Sequence, residues 1–148
     1  MENERKILAE RYLRGVYGGD PSVVDALAAE NVVSSYPIFA RLFGTPALHG
    51  QQAVKRFVRG FSSRWTEAQV TIHEAIAEEE RVVFLWSFCA RRVDDTETAP
   101  PPDSPLHAWG GITLFRFNTA GRITAEIGEE STPGPWARLT DRPADTSL

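Results

Sequence analysis

Cysteine is almost missing from this chain of 148 residues. Cys89 stands alone, so no internal disulfide can form, which is the usage of a reducing, cytoplasmic setting. No apolar run approaches the ~20 residues that a membrane-spanning helix needs, so no membrane span is expected. The opening Met1-Glu2-Asn3-Glu4-Arg5-Lys6 is charged and lacks the apolar core of a secretory signal. Positive charge is in deficit: 16 Lys and Arg face 20 Asp and Glu, for a net charge of −4. That balance argues against nucleic acid or an anionic membrane as the main partner. The three histidines are scattered and show no metal-ligand spacing, so no metal site is expected. There are no internal repeats.

What remains is an ordinary globular composition, 42% hydrophobic and 24% charged, of a length that suits one domain. A chain this long buries roughly 70% of its unfolded surface, enough for a real core. We expect the domain to span residues 1–132, with residues 133–148 a Pro-, Asp- and Thr-rich tail that frays.

The first half reads as helical. From about Glu4 to Val16, Leu8, Tyr12 and Val16 form one stripe flanked by Ile7 and Leu13. Gly18-Gly19 ends that helix. Asp20-Pro21 then offers a cap and a first-turn proline for a short helix with Val23, Val24 and Leu27, to about Ala29. Asn31 to Ile38 is β-rich, and Arg41 to Gly50 is loop-like. Val54, Phe57, Val58 and Phe61 predict a third helix over Gln51–Phe61.

The second half reads as β. Gln69–Ala77 alternates, Glu78-Glu79-Glu80 is a charged turn, and Arg81–Val93 is a long strand apolar on both faces. Asp94–Pro105 holds four of the ten prolines and reads as a loop that could serve as a lid. Leu106–Phe117 and Arg122–Glu130 form a closing hairpin around Asn118-Thr119-Ala120-Gly121. Helices followed by a meandering sheet predict an α+β fold: a curved antiparallel sheet wrapped around three N-terminal helices, a cone with one open mouth. Such concave apolar cavities are the default ligand sites.

Tyr12 placed eight residues before Asp20, together with the closing Phe-Arg-Phe-Asn-Thr-Ala-Gly-Arg of residues 115–122, resembles the nuclear transport factor 2-like superfamily, with its cystatin-like α+β barrel. Within it the chain is most similar to SnoaL-like polyketide cyclases and ketosteroid isomerases, over roughly Glu4 to Ser131. The resemblance implies a hydrophobic small-molecule ligand and often a homodimer. That fold hosts isomerases, cyclases, epoxide hydrolases, dehydratases and binders, so it does not by itself name a reaction.

Carried over position by position, the isomerase pattern implies an oxyanion tyrosine at Tyr12. Its base falls on Tyr36, which an ordinary phenol pKa of about 10 disqualifies. Its protonated aspartic acid falls on Thr113. The epoxide hydrolase pattern falls on Trp86, Phe88 and Gly128, so its carboxylate pair is missing. The acid/base residue of the cyclases falls on Glu126. His107 shares strand parity with Thr113 and could look into the same cavity.

Each candidate carries a plainer alternative. Glu126 is either a cavity carboxylate, its pKa raised by desolvation, or a solvent-facing residue beside Arg116 or Arg122. Phe61, Phe84, Trp86, Phe88, Trp109 and Phe115 are either core or the wall of a ligand cavity. Cys89 reads as a small buried residue rather than a nucleophile. His49 and His73 read as surface residues. On the long strand, Val83, Leu85, Ser87 and Cys89 form a second, milder apolar face that a homodimer partner would cover.

The reading is a cofactor-independent cyclase that closes a ring within a polyketide-derived substrate, by an aldol-type step or a cycloaddition. Glu126, Tyr12 and His107 are its catalytic candidates. Tyr36, Phe61, Phe84, Trp86, Phe88, Trp109, Thr113, Phe115 and Gly128 are its substrate-binding candidates. The alternatives are an isomerase or dehydratase of the same fold, and a non-catalytic binder of a lipophilic ligand.

Overall fold

Apolar stripes at helical spacing become helices close to where the sequence puts them. The fold is that of a computed structural model describing residues 2–93 and 106–140. α1 (Glu2–Tyr17) buries Ala9, Tyr12, Leu13, Val16 and Tyr17, a stripe one residue longer than Val16 suggests. α2 (Ser22–Leu27) follows an Asx contact in which the Ser22 N–H donates to Asp20 Oδ1 at 3.0 Å. β1 (Ala28–Ser35) begins earlier than expected, where α2 was expected to run on to Ala29.

A further helix, α3 (Ile38–Phe43), occupies part of the stretch that reads as loop. Pro37 precedes it, and Gly44 ends it in the left-handed region at φ 69°, a conformation that favours glycine. β2 (Leu48–His49) is a short edge, and α4 (Gln51–Arg64) buries Val54, Phe57, Val58 and Phe61 as expected.

β3 (Trp65–Glu78), β4 (Arg81–Arg92), β5 (Leu106–Phe117) and β6 (Ile123–Ser131) form the meander. The Asn118 side chain organises the β5–β6 turn by accepting from the N–H groups of Ala120 (3.0 Å) and Arg122 (2.9 Å). The Asp94–Pro105 segment, with its suggested lid role, lies outside the described residues.

The six strands form one curved, unclosed sheet in the order β2-β1-β6-β5-β4-β3. Every pairing is antiparallel except β1 with β6, which is parallel and sets Ser34 opposite Glu126. The earlier helices pack into the concave side and share one core with the even-numbered residues of β4.

The tail departs from expectation. Pro135–Thr140 forms α5, which docks on the outer side of the sheet, while residues 141–148 lie outside the description. Trp136 stacks on His73 with ring centres 4.3 Å apart. His73 is therefore half-buried rather than a surface residue, and it contacts the Ser87 hydroxyl at 2.8 Å. Burial lowers its pKa. His49 is exposed. No helix among the described residues is long and apolar enough to cross a membrane.

Candidate functional site

β6 alternates faces, and the alternation decides where its acids point. Glu126 and Gly128 face the helices, and Ile127 and Glu129 face outward. Glu126 is 1% exposed, so its solvent-facing alternative is excluded. Its Oε2 accepts a 2.7 Å hydrogen bond from the Tyr36 hydroxyl, and its Oε1 accepts one of 3.2 Å from Ser34 Oγ. The parallel β1–β6 register brings Ser34 there.

The network continues away from the acid. Tyr36 Oη and Thr113 Oγ1 are 3.0 Å apart, and the Trp86 indole N–H donates to Thr113 Oγ1 at 2.9 Å. An indole N–H can only donate, and an ionised carboxylate can only accept. With Glu126 ionised the direction is therefore fixed: Trp86 donates to Thr113, Thr113 to Tyr36, and Tyr36 to Glu126. Gly128 makes this possible. A Cβ there would lie 2.1 Å from a Tyr36 ring carbon and 2.8 Å from Thr113 Oγ1.

Burial raises the Glu126 pKa to about 7. The hydrogen bonds from Tyr36 and Ser34 pull the other way, and the negative charge of Glu130 adds to the rise. Tyr36 and Tyr17 are held well above the ordinary phenol range, first by burial and then by carboxylate charge.

A cavity of about 420 Å³ opens at the mouth of the cone. α3 supplies Ile38, Phe39, Arg41 and Leu42, and α4 supplies Phe57, Phe61 and Arg64. The strands supply Trp65, Arg92, His107, Ala108, Trp109, Glu130 and Ser131, with Tyr17, Tyr36 and Thr132 completing the wall. Arg92 lies over the Trp65 ring at 5.2 Å, and His107 meets Trp65 edge-on at the same distance.

Of the candidates read from sequence, Tyr36, Phe61, His107 and Trp109 line this cavity. Glu126, Tyr12, Phe84, Trp86, Phe88, Thr113, Phe115 and Gly128 do not. For Trp86 and Phe88 the reason is Tyr17. Its ring lies 5.3 Å from Trp86 and 5.1 Å from Phe88, between them and the open space. Phe84 and Phe115 pack against each other at 5.7 Å at the closed end, as core.

Tyr12 is displaced from its expected role. It is fully buried against Phe115 and its hydroxyl has no hydrogen-bond partner among the described residues. Burial, and then the charge of Glu126, raise its pKa. It has no surface on the cavity from which to stabilise an oxyanion.

Sequence reasoning passed over Tyr17, Arg41 and Glu130. Tyr17 was legible as the next position of the Ala9–Tyr12–Leu13–Val16 stripe. Glu130 was legible from parity, as the same face of β6 as Glu126. Burial raises the Glu130 pKa to about 7, while Arg41 and the Tyr17 hydroxyl oppose the rise and Glu129 adds to it. No cluster of three or more metal-ligating side chains occurs among the described residues.

A family model described as a SnoaL-like domain matches residues 9–126. Among solved structures, an NTF2-like protein of unknown function from Burkholderia pseudomallei is 21% identical, over 91% of this chain and 98% of its own, with a TM-score of 0.63. A protein described as a SnoaL-like polyketide cyclase from Shewanella denitrificans is 15% identical, over 86% and 90%, with a TM-score of 0.69. The epoxide hydrolase/cyclase-like enzyme SalBIII, described for pyran ring formation in the polyether salinomycin, is 15% identical, over 88% and 92%, with a TM-score of 0.65. At these identities the likeness is one of fold. Among curated proteins no match was found.

Proposed function

The chain belongs to the SnoaL-like domain family, and from that premise we propose that it is a cofactor-independent cyclase closing a ring within a polyketide-derived substrate. One observation carries the reading. A buried carboxyl with a pKa near 7 is hydrogen-bonded to Tyr36, which lines an aromatic-walled cavity of about 420 Å³. An acid/base group works best when its pKa lies near the working pH. A pocket of this size and lining suits an apolar small molecule.

The step balances without a redox partner. A carboxylate takes an α-proton from one carbon of the bound chain. The electron pair left behind attacks a carbonyl carbon of the same chain and forms the ring bond. The alkoxide then takes the proton back. The aromatic walls hold the chain folded, so the two reacting carbons meet without a large entropic cost. A neighbour of the same fold, SalBIII, is described for ring formation, which supports the class of reaction.

The reading includes a cytoplasmic location, supported by the unpaired Cys89. It also includes a homodimer, supported by the outer face of the sheet. Ile76, Val83, Leu114 and Ile127 stand opposite one another across four strands, and Leu85 pairs with Ile112 beside them. α5 covers only the end of this face near Ser87 and Cys89.

The test is to delete the gene in its host, identify the metabolite that accumulates and offer it to the purified protein. Ring closure on an uncyclised polyketide is the expected result. Exchange of an α-proton with deuterated water but no ring would make it an isomerase or dehydratase. Binding without chemical change would make it a carrier. An unchanged metabolite profile would count against the cyclase.

A further inference from the structure

The cavity wall is mostly aromatic and aliphatic, yet its charges are mainly of one sign. Arg41, Arg64 and Arg92 line it against a single carboxylate, Glu130. This excess of cations stands in a chain whose net charge is −4. The charge of Arg41 acts on Glu130 and favours its ionised form, so that acid is answered from within the wall.

Backbone geometry gathers the other two arginines at one rim. Arg64 ends α4, and Trp65 begins β3 directly opposite Arg92, the last residue of β4. The Val93 N–H donates to the Arg64 carbonyl at 2.8 Å and ties the two ends together. Strand alternation turns Arg91 the other way, to Glu67 at 2.6 Å, and leaves Arg92 over the Trp65 ring on the cavity side. His107, on β5, meets the edge of the same ring. Trp65 is thus a plate with a guanidinium on its face and an imidazole at its edge.

A guanidinium is weakly hydrated, and its planar fork of donors fits a carboxylate. Arg64 and Arg92 also interact with other groups of the protein. Five N–H donors on each allow such contacts and a ligand contact together. A concave wall of low polarity strengthens their field. Elsewhere on the wall, Tyr17 and Tyr36 stay neutral, because burial holds their phenols protonated, and Phe57 and Phe61 carry no charge.

We propose that the ligand of this cavity is an acid, an apolar chain whose carboxylate is held at the rim by Arg64 and Arg92 while its body lies against the aromatic wall. Resting on the cyclase reading, the substrate is a free polyketide acid rather than an ester or thioester. Anchoring one end fixes which carbons of the chain reach Tyr36, so the rim pair sets the position of ring closure.

The experiment is isothermal calorimetry on the full chain with naphthylacetate and its methyl ester as probes. We expect the acid to bind about 10-fold more tightly than the ester. Arg64→Gln and Arg92→Gln should each weaken the acid by about 4-fold and leave the ester unchanged, and the double variant should bring the two probes together. Arg59→Gln removes a cation of α4 that does not line the cavity and should change neither. An acid that does not bind, that binds no better than its ester, or that is weakened as much by Arg59→Gln overturns the proposal. Equal loss of acid and ester in the Arg64 and Arg92 variants makes those arginines structural and overturns it too. The readout is independent of turnover. Rim-dependent acid binding in a protein that closes no ring removes the cyclase reading and keeps the acid site. Ring closure on a metabolite that bears no acidic group does the reverse.

Discussion

The two faces of β3, β4, β5 and β6 are made from the same strands and have opposite characters. The inner face is aromatic and polar: Phe84, Trp86, Phe88, Thr113, Phe115 and Glu126, nearly all fully buried. The outer face is aliphatic and open, with Ile76 64% exposed, Ile112 47% and Ile127 46%. Inside, directional contacts hold single positions: an indole N–H, two hydroxyls and a carboxylate meet within hydrogen-bond distance. Outside, the exposed isoleucines offer non-directional apolar area, the kind that suits association with another surface. Strand parity separates chemistry from assembly. A single-residue slip in register would exchange the two.

Gly128→Ala should break the inner face hardest. Its Cβ would overlap the Tyr36 ring, forcing the tyrosine away and leaving Glu126 without its shortest donor. Overpacking and a lost hydrogen bond to a buried acid together cost about 4 kcal/mol. Denaturant unfolding would measure this, and an unchanged midpoint would mean that the close fit around Tyr36 is not needed.

Glu126→Gln comes next, and its effect depends on pH. The Glu126 pKa is raised from 4.5 to about 7 in the folded chain. Between those values the folded state binds more protons than the unfolded one, so stability falls as pH rises and then levels off above pH 7. The total is about 3 kcal/mol at 1.36 kcal/mol per unit. The glutamine variant should lose that slope, so that its advantage over wild type grows from pH 4.5 to 8. Parallel stability curves would show that Glu126 is not buried as a charged group.

The outer face should answer differently. Ile127→Lys should leave folding stability within about 0.5 kcal/mol, as exposed substitutions do. It should nonetheless convert a dimer into a monomer, read by sedimentation. A monomeric wild type at micromolar concentration would remove the dimer from the proposed function.

How much of this was legible depended on whether a feature is local. Helical stripes, the Asn118 turn and the even–odd split of β4 are written in neighbouring residues, and all are found in the fold. The burial of Glu126 was one of two alternatives left open in the sequence, and the alternation along β6 in the fold decides between them. What brings Tyr36 to Glu126 is not local. It needs a parallel β1–β6 pairing between residues about ninety positions apart and a glycine on the opposite strand that leaves room for the ring. The extent of the cavity was equally hidden. Phe84, Trp86 and Phe88 share the inner face with the true wall, but the Tyr17 ring lies against Trp86 and Phe88, and Phe84 packs on Phe115. Glu130 and Tyr17 went unread because each sits at the end of its element, where periodic patterns weaken.

Tyr12→Phe separates burial from partnership on the inner face, and among the substitutions on that face it should have the smallest effect. Tyr12 and Tyr36 are both buried phenols near Glu126. Tyr36 donates to the carboxylate at 2.7 Å, while the Tyr12 hydroxyl has no partner among the described residues. Leaving a buried hydroxyl unsatisfied costs its desolvation without return, so deleting the oxygen should stabilise the fold by about 1 kcal/mol. Tyr36→Phe should do the reverse, because it strips a donor from a buried acid. If Tyr12→Phe instead destabilises the protein and slows turnover, its hydroxyl has a partner in the working state, and the oxyanion role expected from the family resemblance returns. If Tyr12→Phe is neutral or stabilising with turnover intact, the polar chemistry around Glu126 runs through Tyr36 and not through Tyr12.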